Sequence, residues 1–149
     1  MIDSIDFAVY LNEKIKARGK TANKTKLQKL LYICYGSQLR MNEGQQLLNE
    51  QPNAWDYGPA FPRVYSVQKS SSGLDKLSPL HQRSKEKLEQ FDVLIERVLD
   101  FFGDWTANQL VEWTHTEETA WHKKYSNIEE RYTPLNNSDI LMDFKRYIK

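Results

Sequence analysis

The sequence predicts a mainly α-helical fold: one compact, irregular helical domain with a short two-stranded β insertion. Apolar residues recur at helical spacing through most of the 149 residues, which is typical of helices with one buried face. An alternating, strand-like pattern occurs only between Gln45 and Tyr57. A chain of this length buries about 70 % of its unfolded surface. Because we find no linker and no internal repeat, we predict a single domain over residues 1–149.

Two helices are predicted at the start of the chain. The first has Ser4 as its expected cap and ends near Gly19. The second begins at Thr25 and ends near Gly44, with leucines along one face. Cys34 lies on that same face, so we expect a buried structural thiol rather than a reactive one. As the single cysteine, it also excludes a disulfide within the chain.

The β insertion is predicted directly after these helices. We expect a short strand within Gln45 to Pro52 to pair with Ala54 to Tyr57, where two large aromatic residues share one face. The next residue, Gly58, precedes Pro59, and a proline disfavours the helical region for the residue before it. Glycine also accepts positive φ without strain. The extended segment should therefore end at Gly58 in a sharp turn.

Four further helices are predicted in the rest of the chain. Pro62 to Lys69 forms a short helix that begins with proline, followed by an exposed loop over Ser70 to Gly73. The longest helix is predicted from Ser84 to Phe102, with serine as its cap. Thr106 is expected to cap the next helix and Ser138 the terminal one.

Charge and hydropathy restrict the functional classes. The 21 lysine and arginine residues nearly balance the 20 acidic residues, so no overall field attracts a phosphate backbone. Seven basic residues lie between Lys14 and Lys29, but helical geometry spreads them over several faces and no recognition helix is apparent. A solvated surface is the preferred interpretation, and nucleic-acid binding the alternative. Since no apolar run approaches about 18 residues and no basic leader is seen, we predict a cytoplasmic protein without membrane contact.

The segment around His115 contains residue types that can bind zinc or transfer protons. Histidine and carboxylate are suitable zinc ligands, yet His115 and His122 are seven residues apart and no His-Glu-x-x-His pattern occurs. We therefore expect no metal, no cofactor and no enzymatic activity. Our preferred interpretation is that His115 and Glu117 hydrogen-bond backbone groups between two helices. The alternative is that they contact a partner.

The densest motif of the chain lies in residues 54–65, which read Ala-Trp-Asp-Tyr-Gly-Pro-Ala-Phe-Pro-Arg-Val-Tyr. This segment resembles the central signature of the Panacea domain, a family that includes SocA-like antitoxins and GepA-type phage-associated proteins. The segment from Lys26 to Tyr32 is similar to the opening helix of that family. A Thr-His-x-Glu element beginning at Thr114, with Trp121 after it, resembles the late motif. The family usually has proline before this tryptophan, where this chain has Ala120, so we expect a more helical turn there.

The resemblance implies an antitoxin that binds and neutralises a toxin encoded beside it, and that is not an enzyme. Some members of the family pass their toxin to the Clp protease machinery, which is implied here as a further partner. Two alternatives remain. The first is a phage-encoded DNA-binding regulator that uses the Lys14 to Lys29 cluster, or an accessory protein without a toxin. The second, which the sequence supports least, is a hydrolase built on His115 and Glu117.

Aromatic and charged residues of the two signature segments are the candidate contacts with this partner, because tryptophan and tyrosine anchor many protein interfaces. We interpret Trp55 as a core residue more than an interface residue. We expect Arg63 and Glu117 to be exposed, so that their truncation spares the fold. The predicted partner-binding set is Trp55, Asp56, Tyr57, Arg63, Tyr65, His115, Glu117 and Trp121.

Overall fold

The computed structural model describes residues 1–70, 73–74, 85–116 and 118–148 of the chain. Within these ranges it is mainly helical with one two-stranded antiparallel sheet, which confirms the predicted fold class. A 3-10 turn, Ile128–Glu130, precedes the last helix. The elements are α1 (Ser4–Ala17), α2 (Lys24–Met41), β1 (Asn53–Trp55), β2 (Gly58–Ala60), α3 (Pro62–Gln68), α4 (Lys85–Glu89), α5 (Asp92–Phe102), α6 (Ala107–Thr114), α7 (Ala120–Tyr125) and α8 (Asn137–Tyr147).

Helix α2 lies at the centre of the fold. Nearly every residue from Leu27 to Leu39 is buried, and α5, α6, α8 and β2 all pack against it. The predicted burial of Cys34 is confirmed, and burial raises the pKa of its thiol to about 12. Gly36 permits the close approach of α8, because a Cβ there would lie 2.0 Å from Cε2 of Phe144. The helix that carries the first signature segment is therefore the core around which the domain is built.

Three helices begin one or two residues earlier than predicted. The cap of α1 is Asp3, whose carboxylate accepts hydrogen bonds from two backbone N–H groups, while Ser4 is the first helical residue. Asn23 caps α2 in the same way. The terminal helix follows Asn136 rather than Ser138. For α1 and α2 an Asp or Asn before the predicted residue makes the capping bond, and these types cap as well as serine does, whereas Asn136 makes no side-chain capping bond. The prediction of Thr106 is confirmed, since it forms a capping box.

The sheet is a hairpin that reverses direction at residues 56–57. Trp55 pairs with Gly58, Ala54 with Pro59, and Asn53 with Ala60. The expected pairing with residues 45–52 is wrong, because the chain turns at residues 56–57 and β1 pairs with the residues that follow this turn, beginning at Gly58 with φ of +109°. The segment before the hairpin instead lies beside the N-terminus, where Leu48 bridges to Ile2.

The long helix predicted from Ser84 to Phe102 is interrupted. Its described part consists of α4 and α5, and the chain leaves helical geometry at Gln90 and Phe91. The N–H of Phe91 bonds the carbonyl of Leu88 in a tight turn, and the Phe91 ring contacts that of Phe7 edge-on. Hydrophobic spacing cannot reveal this break, because residues on both sides of it remain buried. Ser84, its predicted cap, lies outside the described residues, as does part of the loop predicted over 70–73.

Candidate functional site

The hairpin and the first turn of α3 present three aromatic residues together. The Trp55 ring contacts the Tyr65 ring edge-on, with centroids 5.2 Å apart. Trp55 is half-buried, whereas 38 % of Tyr65 and 70 % of Tyr57 is exposed to solvent. Pro62 starts α3 immediately after the hairpin, as predicted, and so brings Tyr65 back over β1. The tip of the hairpin is therefore an exposed aromatic surface on a short, fixed turn.

Asp56, beside Tyr57 at the tip, is held by two hydroxyl groups. Tyr125 and Tyr132 both donate a hydrogen bond to its Oδ1. These bonds keep the pKa of Asp56 below its ordinary value, and the carboxylate in turn raises the pKa of Tyr125 to about 12. Asp56 is consequently a fixed negative charge at the surface.

Trp121 connects the hairpin to the late signature segment. Its indole Nε1 donates a hydrogen bond of 2.7 Å to the Trp55 carbonyl. Its ring stacks on His115, with centroids 3.9 Å apart, and on Tyr125, with centroids 4.8 Å apart. Only 7 % of Trp121 is exposed, so the stack supports the site from within.

Ala120, the departure from the family pattern, begins helix α7. Its backbone N–H donates a 2.8 Å hydrogen bond to the buried carboxylate of Asp143 on α8. A proline has no N–H and could not make this bond. The predicted helical turn at this position is thus present, and Asp143 fixes its start.

His115 is the residue whose type and sequence context raise the question of a catalytic or metal-binding role. Burial lowers the pKa of its imidazole, while the nearby Tyr57 backbone acts in the opposite direction. The Nε2 atom is buried and has no hydrogen-bond partner among the residues described. Among all residues that the structure describes, no group of three or more His, Cys, Asp or Glu side chains could hold a metal ion. The contacts of His115 are those of a ring packed against Trp121.

Two polar residues of α2 hold the site, and the sequence analysis missed both. The Lys29 ammonium is buried and donates a 2.9 Å hydrogen bond to the Pro59 carbonyl, and burial lowers its pKa to about 7. Gln28 accepts from the N–H of Phe61 at 2.7 Å and donates to its carbonyl and to Gln68. One feature of the sequence could have indicated their role: these two polar residues interrupt a leucine-rich helix within the first signature segment.

Gly58 is the point where the hairpin meets α2 and α6. A Cβ at this position would lie 2.7 Å from Oγ1 of Thr114 and 3.1 Å from Cε of Lys29. Its φ of +109° agrees with the expected positive φ, while the turn itself occupies residues 56–57 and Gly58 begins β2. Close packing and backbone conformation thus both require glycine here.

These residues enclose a cleft of about 250 Å³ between the hairpin, α2 and α3. We call it the aromatic cleft. The predicted residues that line it are Trp55, Asp56, Tyr57 and Tyr65. The rest of the lining is Lys24, Thr25, Gln28, Lys29, Gly58, Ala60 and Tyr132. His115 and Trp121 adjoin it through the Trp121–Trp55 hydrogen bond. Glu117 lies outside the described residues.

Arg63 is not part of the aromatic cleft. Its guanidinium donates hydrogen bonds to Ser4 and Asn49 and forms an ion pair of 3.0 Å with Asp3. It therefore ties α3 to the start of α1. The expectation that Arg63 can be truncated without affecting the fold is not supported by these contacts.

Three residues of the basic cluster between Lys14 and Lys29 pair with an acidic row. The row follows α5 at four-residue intervals, so its carboxylates share one helix face. The ion pairs are Lys14 with Asp92, Arg18 with Glu96 and Asp100, and Lys20 with Asp104. With Lys29 buried, a large part of the cluster is already occupied, which weakens the DNA-binding alternative. None of the described helices is long and apolar enough to cross a membrane.

Comparison with known proteins yields one family and one curated relative. The family described as "Antitoxin SocA-like, Panacea domain" matches residues 27–122, a range that includes most of α2, the hairpin and the late signature segment. The chain is 32 % identical over 130 residues to the protein named Antitoxin SocA from Caulobacter vibrioides (strain NA1000 / CB15N). That match covers 80 % of this chain and 69 % of the relative. No solved structure matches significantly.

Proposed function

Because the chain belongs to the Panacea-domain family of SocA-like antitoxins, we propose that it neutralises a toxin encoded beside it by binding that toxin directly. The protein acts as a stoichiometric binder and not as an enzyme, and it binds the toxin in the cytoplasm. The observation that carries the proposal is the aromatic cleft, with Tyr57 projecting at its edge, inside the segment that the family matches.

The physical properties of the cleft suit a protein interface. Tyrosine and tryptophan combine a large apolar area with a polar atom, and they carry much of the binding energy in known interfaces. Tyr57 has the most exposed aromatic side chain of the cleft, and Asp56 supplies a polar edge. The hairpin is fixed from below by Lys29 and Trp121, so little ordering entropy is lost when a partner binds.

Truncation of Tyr57 tests this proposal. Tyr57→Ala should weaken toxin binding at least 30-fold, equivalent to about 2 kcal/mol, and abolish protection when both proteins are co-expressed. Because the Tyr57 side chain is largely exposed, the melting temperature of the variant should stay within about 2 °C of that of the wild type. The measurements are titration calorimetry with the purified toxin, growth of co-expressing cells, and thermal melting.

Phe101→Ala is the matched control, because Phe101 is 68 % exposed but lies on α5, outside the aromatic cleft. It should bind and protect normally. If Tyr57→Ala also protects and binds like the wild type, the cleft is not the interface. If the wild-type protein binds no product of a neighbouring gene, the antitoxin proposal itself fails.

Toxin half-life separates two modes of neutralisation. Delivery of the bound toxin to the Clp protease machinery would shorten its half-life in antitoxin-producing cells, and deletion of the protease would restore it. Simple blocking would leave the half-life unchanged while growth is still protected. We propose blocking as the primary mode, because the cleft provides a binding surface that acts without further components.

A further inference from the structure

Lys29 is a buried cation in the aromatic cleft without an anionic partner. It is 2 % exposed, and the hydrogen bond of its ammonium group goes to the carbonyl of Pro59. An ammonium group has three donors, so the Pro59 carbonyl uses one of them. In the part of the chain that the structure describes, no carboxylate forms an ion pair with Lys29. This differs from the other cations of the cluster, several of which face the acidic row.

A buried, unpaired ammonium is costly, because water that would solvate the charge has been removed. Burial is the cause of the lowered pKa of Lys29. Asp56 lines the same cleft, but its Oδ1 is occupied by the hydroxyls of Tyr125 and Tyr132. The cleft therefore contains a charge that an anion from outside could compensate.

The lining charges indicate the kind of anion. Lys24 and Lys29 are basic and Asp56 is acidic, which leaves one positive charge in excess. One carboxylate balances that excess, whereas a phosphate dianion would exceed it and face Asp56. The aromatic walls formed by Trp55 and Tyr65 suit a short aliphatic stem. A stem is also required by geometry, since Lys29 lies beneath the surface of the cleft.

We propose that the aromatic cleft receives a glutamate side chain of the toxin, whose carboxylate pairs with the ammonium of Lys29. This inference rests on the proposed function and specifies the partner group at the same site. The pairing replaces the lost solvation of Lys29 and gives the contact a charge requirement that the aromatic residues alone do not have. It also makes binding weaken as the pH rises and Lys29 loses its proton.

The groups that face Lys29 come from several elements. Lys24 belongs to the same helix, Asp56 and Tyr57 to the hairpin, Tyr65 to α3 and His115 to the end of α6; Tyr132 follows the 3-10 turn. Of these, hydrogen bonds from Tyr125 and Tyr132 lower the pKa of Asp56 and burial lowers the pKa of His115, and both groups are equally present with the charged and the neutral ligand. A change in the Lys29 titration can therefore be assigned to an added carboxylate.

The test uses the isolated protein and three capped amino acids of nearly equal size. N-acetyl-glutamate amide has a side-chain carboxylate, N-acetyl-glutamine has its carboxylate at the chain end, and N-acetyl-glutamine amide is neutral. Lysines are labelled with ¹³C at Cε, and the Lys29 signal is identified by its loss in Lys29→Met. We expect N-acetyl-glutamate amide to shift this signal saturably at millimolar concentration at pH 6.5, and to raise the Lys29 pKa by about one unit.

The neutral amide should leave the Lys29 titration unchanged, and the chain-end carboxylate should bind at least tenfold more weakly. Equal or stronger binding of N-acetyl-glutamine would overturn the assignment to a glutamate side chain. No response to N-acetyl-glutamate amide up to about 100 mM would overturn the anion site altogether. Lys26→Met, on the same helix but outside the cleft, should retain the wild-type response.

Two further variants complete the design. In Lys29→Met the removed charge had no partner among the described side chains, so this variant should fold, yet it should not respond to N-acetyl-glutamate amide. Glu117→Gln should leave the free Lys29 pKa unchanged; a change would show that a carboxylate of this chain already occupies the site, which would overturn the inference. The ligand titration uses no toxin. A negative titration therefore does not affect the co-expression test of the proposed function, and a negative co-expression test does not affect the titration.

Discussion

Gly58 is the residue on which the geometry of the aromatic cleft most depends, because its missing side chain lets three elements meet. We expect Gly58→Val to lower the free energy of unfolding by more than ~1 kcal/mol beyond the loss in Gly44→Val. Gly44 has a similar positive φ of +86°, but nothing lies within 4 Å of a Cβ there, so the comparison isolates the clash with Thr114 and Lys29. Urea denaturation measures both variants. Equal losses would show that only backbone strain matters at Gly58.

Lys29 should make stability depend on pH. Its pKa is about 7 in the folded protein and 10.5 ordinarily, so between these values the unfolded chain binds more protons. The free energy of unfolding should therefore rise with pH in this window and fall as the pH drops through 7. Relative to Lys29→Met, the wild type should gain about 2 kcal/mol between pH 6.5 and pH 9. Urea denaturation at each pH measures the free energy of unfolding of both proteins. If this free energy changes with pH equally in the two, Lys29 does not carry a buried charge in the folded protein.

The sequence predicted single residues well where local geometry decides and poorly where a distant contact decides. The turn at Gly58 follows from the proline after it, and the capping role of Thr106 from its neighbours. The burial of Lys29 depends on a hairpin carbonyl 30 residues away along the chain. Arg63 is similar, since its partners belong to α1 and to the loop before β1. Helical spacing assigns a face to a residue but not the atom that it meets.

At the scale of elements, the start of α7 offers a clean test of how α7 and α8 are joined. Ala120→Pro restores the usual residue of the family and suits the first helical position, where proline has little steric cost. Thr119 already has the extended conformation that precedes proline. The substitution should nevertheless cost about 1–2 kcal/mol, because it leaves the buried carboxylate of Asp143 without the Ala120 N–H.

A double-mutant cycle checks this explanation. In an Asp143→Ala background, which has no acceptor, Ala120→Pro should cost less than about 0.5 kcal/mol. Ala120→Ser keeps the N–H and serves as the control for a changed side chain. Additive losses in the cycle would mean that the hydrogen bond to Asp143 does not carry the effect. Denaturant midpoints measured for the four proteins supply the coupling energy.

Prediction of whole elements succeeded for those defined by periodicity and failed for those defined by long-range packing. Helices α1, α2, α3, α6 and α8 follow an apolar stripe or a cap in the sequence. The hairpin was not predicted because its second strand, Gly58–Ala60, consists of glycine, proline and alanine and has no alternating pattern, whereas residues 45–52 contain leucines among polar residues. The break between α4 and α5 coincides with the packing of Phe91 on Phe7 of α1, a contact between residues far apart in the sequence.

At the scale of the whole molecule, the acidic row of α5 predicts how the protein behaves toward DNA. Since the row occupies much of the basic cluster, we expect no retention of promoter DNA at about 150 mM salt and protein concentrations up to about 10 μM. The combined variant Asp92→Asn, Glu96→Gln and Asp100→Asn uncovers these cations and should gain weak, salt-sensitive binding. Fluorescence anisotropy measures both. Specific binding by the wild type would revive the regulator alternative.

The family and the mainly helical class were predictable because the signature residues lie close together in sequence, in segments that a reader can recognise without a fold. The assembly of those segments into one cleft was not, since it requires α2, the hairpin and α6 to meet around Gly58 and Trp121 of α7 to bond the Trp55 carbonyl. Most of the predicted partner residues do come together there, while Arg63 does not. The single domain over residues 1–149 and the partner itself stay predictions.

The supports of the hairpin have a consequence for how such a protein can change over generations. Lys29, Gln28 and Trp121 hold the hairpin and the residue after it through main-chain atoms: the carbonyls of Pro59 and Trp55 and the amide of Phe61. Main-chain atoms persist whatever side chain a mutation introduces. The side chain at position 57 can therefore be exchanged while its platform keeps its shape. Selection for a new toxin can act on the tip of the hairpin without first having to rebuild the scaffold beneath it.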